Sequence, residues 1–309
     1  MSVLTLSNSI TLAAAGLSIN PEHYPIIIAA LVISILGAAL SVFVVLKRLA
    51  FIGQGVSHAA FGGVGIALVL GVHGATTMGA IGQLGIVVAF SILAALGIAA
   101  ISRSQRGRTD TAIGVVLSAS MALGFVLFTV AESGHEHDEQ GHAHGEHADG
   151  HHLIEEILFG NILDTNWTDT CVAIIASAGI GATLWFTRRK LVFWAFDEPV
   201  CDAYGVSSRR MTDLFLVLLA LTVVMSMQIA GVVLAAAMLV LPGAAALNLS
   251  AKLSTVFVYA LLIAIVGAIA GLQAGLAGDY PIGPSIVLAQ SVLYLLSLLV
   301  RVCLVRLRS

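Results

Sequence analysis

After Glu22, seven long stretches of this chain contain no Lys, Arg, Asp or Glu: 23–46, 49–102, 111–131, 170–187, 214–251, 253–278 and 280–300. About 20 mostly apolar residues suffice to cross a lipid bilayer as a helix. Lipid offers no hydrogen-bond partner to a backbone, so only helices and closed barrels span it. Barrel strands show as alternating segments of about ten residues, whereas these runs are long and continuous. The sequence therefore predicts an all-α, polytopic transmembrane helical bundle. Composition agrees: 59% of the 309 residues are hydrophobic and 10% are charged, too few polar groups for a water-facing surface.

Two of the runs exceed one span. The first divides near Gly71-Val72-His73-Gly74, and the second near Gln228 to Gly231. That makes nine spans in a single domain over 1–309. Lys47 and Arg48 follow the first span, and Arg103, Arg106 and Arg108 the third. Arg188, Arg189, Lys190, Arg209 and Arg210 lie between the fifth and sixth, Lys252 follows the seventh, and Arg301, Arg306 and Arg308 end the chain. With nine spans all fourteen cations share one side; an even count scatters them. The positive-inside rule makes that side cytoplasmic. The expected location is the inner (cytoplasmic) membrane, with the N-terminus outside and the C-terminus inside. The N-terminus resembles a weak signal peptide but has no cation before Lys47, so a short outer segment ahead of the first span is expected instead. Cys171, Cys201 and Cys303 form no CxxC pair and are expected to be packed thiols.

The small residues crowding the spans, such as Gly62-Gly63-Val64-Gly65, favour close helix packing in lipid. There is no GxxxxGK[ST] phosphate loop, so any ATP used is hydrolysed by another chain. The chain is not expected to be an enzyme or to bind nucleic acid.

Five stretches stand out for chemistry. Residues 133–152, SGHEHDEQGHAHGEHADGHH, hold seven histidines (His135, His137, His142, His144, His147, His151 and His152) and five acidic residues. Imidazole suits zinc, copper, iron and nickel. With no apolar side chain larger than Ala, the tract has no core of its own; it is expected to be an extracytoplasmic loop that collects divalent cations, although a solvated linker would look alike. His58, in FIGQGVSHAAFGG, lies ten residues past Arg48, up to about 15 Å into a core of about 30 Å. An ionisable group at that depth is a candidate for a metal or a transport path, the alternative being a histidine bonded between packed helices. Gln54 is four residues earlier and shares its helical face, with the Ser57 hydroxyl expected beside them. The segment FDEPVCDAYGVSSRR, 196–210, suits a short helix along the membrane that docks a partner, or a solvated loop. GDYPIGPS, 278–285, carries Asp279 as its only charge between two stiffening prolines and the preceding span. LIEEILFGNIL, 153–163, has the apolar spacing of a short interfacial helix, and Asn166-Trp167-Thr168 matches a glycosylation acceptor.

Taken in order, several segments resemble the metal-chelate-type (ABC-3) permease family, the membrane subunits of ABC importers for zinc or manganese. SHAAFGGVGIAL resembles the family's SHA-x-x-G-x-A stretch, and LFGNIL recurs after its fourth span. AFDEPVCDAYGV resembles FDPE-x-A-x-x-x-G, GVVLAAAMLVLPGAAA its long Ala- and Pro-containing stretch, and DYPIGPSIVL its closing motif. The resemblance runs from about Lys47 to Leu288.

The resemblance implies a type II ABC importer permease that works as a homodimer with its path along the subunit interface. It implies two ATP-binding subunits docked on a cytoplasmic coupling helix at 197–206 (Asp197, Glu198, Ala203 and Gly205), and an extracytoplasmic solute-binding protein that delivers the ion. It further implies His58 as a channel ligand and Asp279 as an outer-mouth residue. No permanent cofactor is expected; zinc, then manganese, then iron, is the expected cargo. Two departures matter. Gln54 stands where the family has an acidic residue, and Pro199 after Glu198 reverses the family's order. The rival reading is a stand-alone, proton-coupled metal transporter, but that chemistry needs intramembrane carboxylates, and no predicted span contains one.

Overall fold

The computed structural model describes residues 24–72, 77–104, 109–135, 165–278 and 280–306. Every regular element among them is helical. They are α1 (Tyr24–Leu46), α2 (Ile52–Val69), α3 (Thr77–Ser104), α4 (Thr109–His135), α5 (Trp167–Phe196), α6 (Glu198–Cys201, continued by a 3-10 turn at Asp202–Tyr204), α7 (Ser208–Met238), α8 (Leu241–Leu249), α9 (Leu253–Gly278) and α10 (Ile282–Arg306). Eight helical runs among the described residues are long and apolar enough to cross a membrane. The expected break between the second and third spans is present: α2 ends at Val69, and Gly71 turns the chain with a positive φ of 68°.

One of the eight runs, Ser208–Leu249, is 42 residues long. As one straight rod it would measure about 63 Å, twice the hydrocarbon thickness. It is not straight. Phe215 packs edge-on against Phe43, with centroids 6.1 Å apart. Ile229 and Ala230 share a core with Ile26 and Ala29 at the other end of α1. The chain then returns. Met238 lies against Gly37, and Gly243 sits on the Ser41 backbone. In a straight helix Phe215 and Gly243 would be about 42 Å apart, yet their partners on α1 are two residues apart. The reversal is at Gly231, whose φ of 78° and ψ of 168° belong to a region open essentially to glycine alone. The return leg breaks at Val240 and restarts as α8, with Pro242 in its first turn, where a missing N–H costs nothing. Counting both legs gives nine passes among the described residues, as the charge pattern requires.

With these directions, every described Lys and Arg lies at one end of the bundle or in the connections there. That cation end is braced by two ion pairs. Arg103 Nη1 meets Asp213 Oδ1 at 2.7 Å, tying the end of α3 to the start of α7. Lys47 meets Glu198.

One expectation is corrected. Only Cys201 is a packed thiol; Cys171 and Cys303 are exposed, because neighbouring helices leave uncovered the faces of α5 and α10 that carry them. Asn166 caps α5, its N–H bonded to Asp169 Oδ2 at 3.2 Å, which gives that residue a structural task. The interfacial helix expected at 153–163 lies outside the described residues.

Candidate functional site

The short, glycine-rich α2 is enclosed by α3, α4 and α7. Its glycines allow this, since helices in lipid gain from close van der Waals contact rather than from leaving water. A Cβ added at Gly63 would lie 2.9 Å from the Val87 Cα of α3, and one at Gly65 3.1 Å from the Gly124 carbonyl of α4. On a third side, Gly53 meets Leu239 and Ala236 from the return leg of the α7 reversal. Phe61 closes the α4 side, stacked on Phe128 with centroids 5.0 Å apart.

One stripe of α2 remains uncovered. Gln54 is exposed and His58 half-buried on it, one turn apart. The expectation that Ser57 joins them fails. Ser57 is fully buried, and its hydroxyl donates to the Gly53 carbonyl at 2.8 Å. It sits about 100° around the helix from His58, on the packed side, and the backbone carbonyl satisfies it. The open stripe thus offers an imidazole nitrogen and an amide oxygen. Among the described residues no three His, Cys, Asp or Glu side chains converge, so one copy presents two donors and no closed cage.

The histidine tract lies almost wholly outside the described residues: His137, His142, His144, His147, His151 and His152 are beyond them, and α4 reaches His135. Asp279 is also outside them. The structure therefore brings together Gln54 and His58 alone of the expected metal ligands.

At the cation end, 197–206 forms a compact knuckle. α6 and the following 3-10 turn end at Gly205, with φ 75°, and the Val206 N–H closes back on the Cys201 carbonyl at 3.0 Å. Cys201 anchors it, fully buried, while Asp197, Pro199, Asp202, Ala203, Tyr204 and Gly205 are exposed. Tyr204 rests edge-on against Phe193, with centroids 5.8 Å apart. A pin not foreseen from the sequence holds the knuckle. The Lys47 ammonium pairs with Glu198, donates to the Trp194 carbonyl at 3.3 Å and sits 4.2 Å from the Trp194 ring centroid. Ser208 donates to the other Glu198 oxygen at 2.9 Å. Burial alone would raise the Glu198 carboxyl. The hydrogen bonds from Lys47 and Ser208, with the Lys47 charge, outweigh it and hold the group below the usual glutamate value. The inverted Glu198-Pro199 order has a local consequence: Glu198 opens α6 and reaches Lys47, while Pro199 occupies its first turn. No signal in the sequence pairs positions 151 residues apart; Lys47 was legible only as a marker of sidedness.

Nine passes among the described residues, a polar pair on the open stripe of an enclosed helix, and a pinned knuckle at the cation end fit a multi-pass membrane subunit. The chain belongs to the ABC 3 transport family, which matches residues 23–301. It is 29% identical over 276 residues to the manganese transport system membrane protein MntC of Listeria monocytogenes, covering 88% of each chain. It is 30% identical over 273 residues to a probable iron transport system membrane protein of Haemophilus influenzae, covering 88% of this chain and 91% of that one. The structure resembles PsaBC from Streptococcus pneumoniae in complex with Fab, with a TM-score of 0.73, 28% identity, and coverage of 92% and 93% of the two chains.

Proposed function

We propose that the chain is the translocation subunit of an ATP-driven importer for a divalent first-row metal ion, and that the Gln54–His58 stripe of α2 faces the ion. The observation that carries this is the enclosure of α2 on its other sides: its uncovered stripe bears the imidazole and the amide side chain of that helix. A second copy of the chain facing this stripe would double the donors and complete a polar step in an apolar channel. The knuckle at 197–206 is the proposed seat of an ATP-binding subunit. An extracytoplasmic binding protein would deliver the ion at the opposite end, where the histidine tract would act as an accessory collector and Asp279 would line the mouth. Imidazole with a neutral amide favours zinc on ligand chemistry. The names of the relatives support manganese and iron, and competition among the three ions for uptake decides the cargo.

The test is His58→Ala in cells that express the whole transporter. Radiometal uptake should fall about tenfold or more, since losing even a supporting residue of a metal site costs that much. Membrane insertion and ATPase co-purification should stay intact. Undiminished uptake removes His58 from the path. Uptake by the purified chain in vesicles without any ATPase would instead establish the proton-coupled reading.

A further inference from the structure

On the flank of α1, away from the helices that enclose His58, an apolar groove of about 980 Å³ runs between α1, α5 and α9. Ile35, Gly181, Trp185 and Phe257 are among the residues that line it, and Arg188 and Arg189 flank it toward the cation end, with Val192 one turn beyond them. From Ile174 to Val192 its lining extends along α5 for about 27 Å, more than one leaflet of a hydrocarbon core of about 30 Å. Both arginines are exposed, and among the described residues neither makes an ion pair. Arg188 is held at the mouth by stacking on Trp185, its guanidinium carbon 3.9 Å from the ring centroid. Lys190 adds a third adjacent cation, and α5 carries no acidic residue after Asp169.

We propose that this groove is a binding site for an anionic glycerophospholipid of the leaflet at the cation end. One acyl chain lies along α1 and α5, and the phosphate sits between Arg188 and Arg189. The cations decide the occupant. A second copy of the chain would bring the same positive charge to the mouth, whereas a lipid phosphate brings the opposite one and matches the guanidinium fork. The groove's depth excludes a surface ion as the whole ligand, and basic pockets between membrane helices suit acidic head groups.

The experiment is native mass spectrometry of the purified transporter reconstituted with equal phosphatidylglycerol and phosphatidylcholine. The protein should retain phosphatidylglycerol preferentially. Arg188→Gln with Arg189→Gln should reduce that preference about thirtyfold, given roughly a factor of five for each cation at a lipid surface. Gly181→Phe should expel the lipid while the fold persists, because a Cβ at Gly181 meets nothing within 4 Å. Equal retention of both lipids by the unaltered protein overturns the proposal. So does an undiminished preference in the double variant, or a Gly181→Phe variant that keeps its lipid. If Gly181→Phe dissociates subunits instead of lipid, a second copy fills the groove and the proposal fails.

Discussion

Replacing Gly231 with Ala tests the feature that sets the whole bundle's topology. At φ 78° and ψ 168° a Cβ is strained by about 1–3 kcal/mol, a shift of roughly five- to 150-fold in a folding equilibrium. Relaxing the strain would draw residue 231 toward helical angles and extend α7 in place of the reversal. The return leg would then leave Gly53, and with it the support for α2 one residue from Gln54. The comparison variant is Gly97→Ala. Gly97 is helical and an added Cβ there meets nothing within 4 Å, so it should be neutral or stabilising by up to about 1 kcal/mol. Reversible unfolding in mixed micelles measures both changes. A direct reading of topology comes from spin labels at Arg209→Cys and Ala251→Cys, with Cys171 and Cys303 replaced. A straight helix sets them about 63 Å apart, and the hairpin places both at the cation end at a far shorter distance. A separation near the longer value, or a Gly231→Ala cost below about 0.5 kcal/mol, refutes the reversal.

The pin at the cation end should behave as a coupled unit. A Lys47→Met, Glu198→Gln double-mutant cycle should give an interaction of about 1 kcal/mol, near the upper end for exposed pairs, because Glu198 is 45% exposed and Lys47 only 13%; strict additivity would deny the coupling. The same pair sets a pH response. Glu198 sits below its usual value when folded, so its contribution is present above the ordinary glutamate range and lost as pH falls through the lower folded value. Unfolding curves of Glu198→Gln should lack that part of the acid loss. At the open stripe, Gln54→Asp should strengthen uptake of harder ions such as manganese relative to zinc, since a carboxylate oxygen suits them; an unchanged ratio in competition assays would turn position 54 away from the ion. Gly63→Leu should destabilise by about 1–3 kcal/mol through overpacking, because its Cβ would already crowd the Val87 Cα at 2.9 Å; wild-type stability would show that α2 and α3 are less close.

The number of passes, their directions and the shared side of the cations follow from sequence alone, because lipid imposes a simple rule. Each crossing needs a run without charge, and each charge must leave the membrane, so both are written in one dimension. Gly231 was already visible as a place to divide a run. The Gln54–His58 stripe was legible for a related reason, since a spacing of four fixes a common face on any helix. Which face stays open was not legible. Ser57 has the composition of a site residue, but it lies on the side that the backbone and the neighbouring helices occupy. Tertiary structure alone decided that, along with the Lys47–Glu198 pin and the groove beneath Arg188. These depend on which helices pack side by side, and in lipid that choice rests on close-fitting surfaces of small residues, a matter of shape that hydropathy does not record.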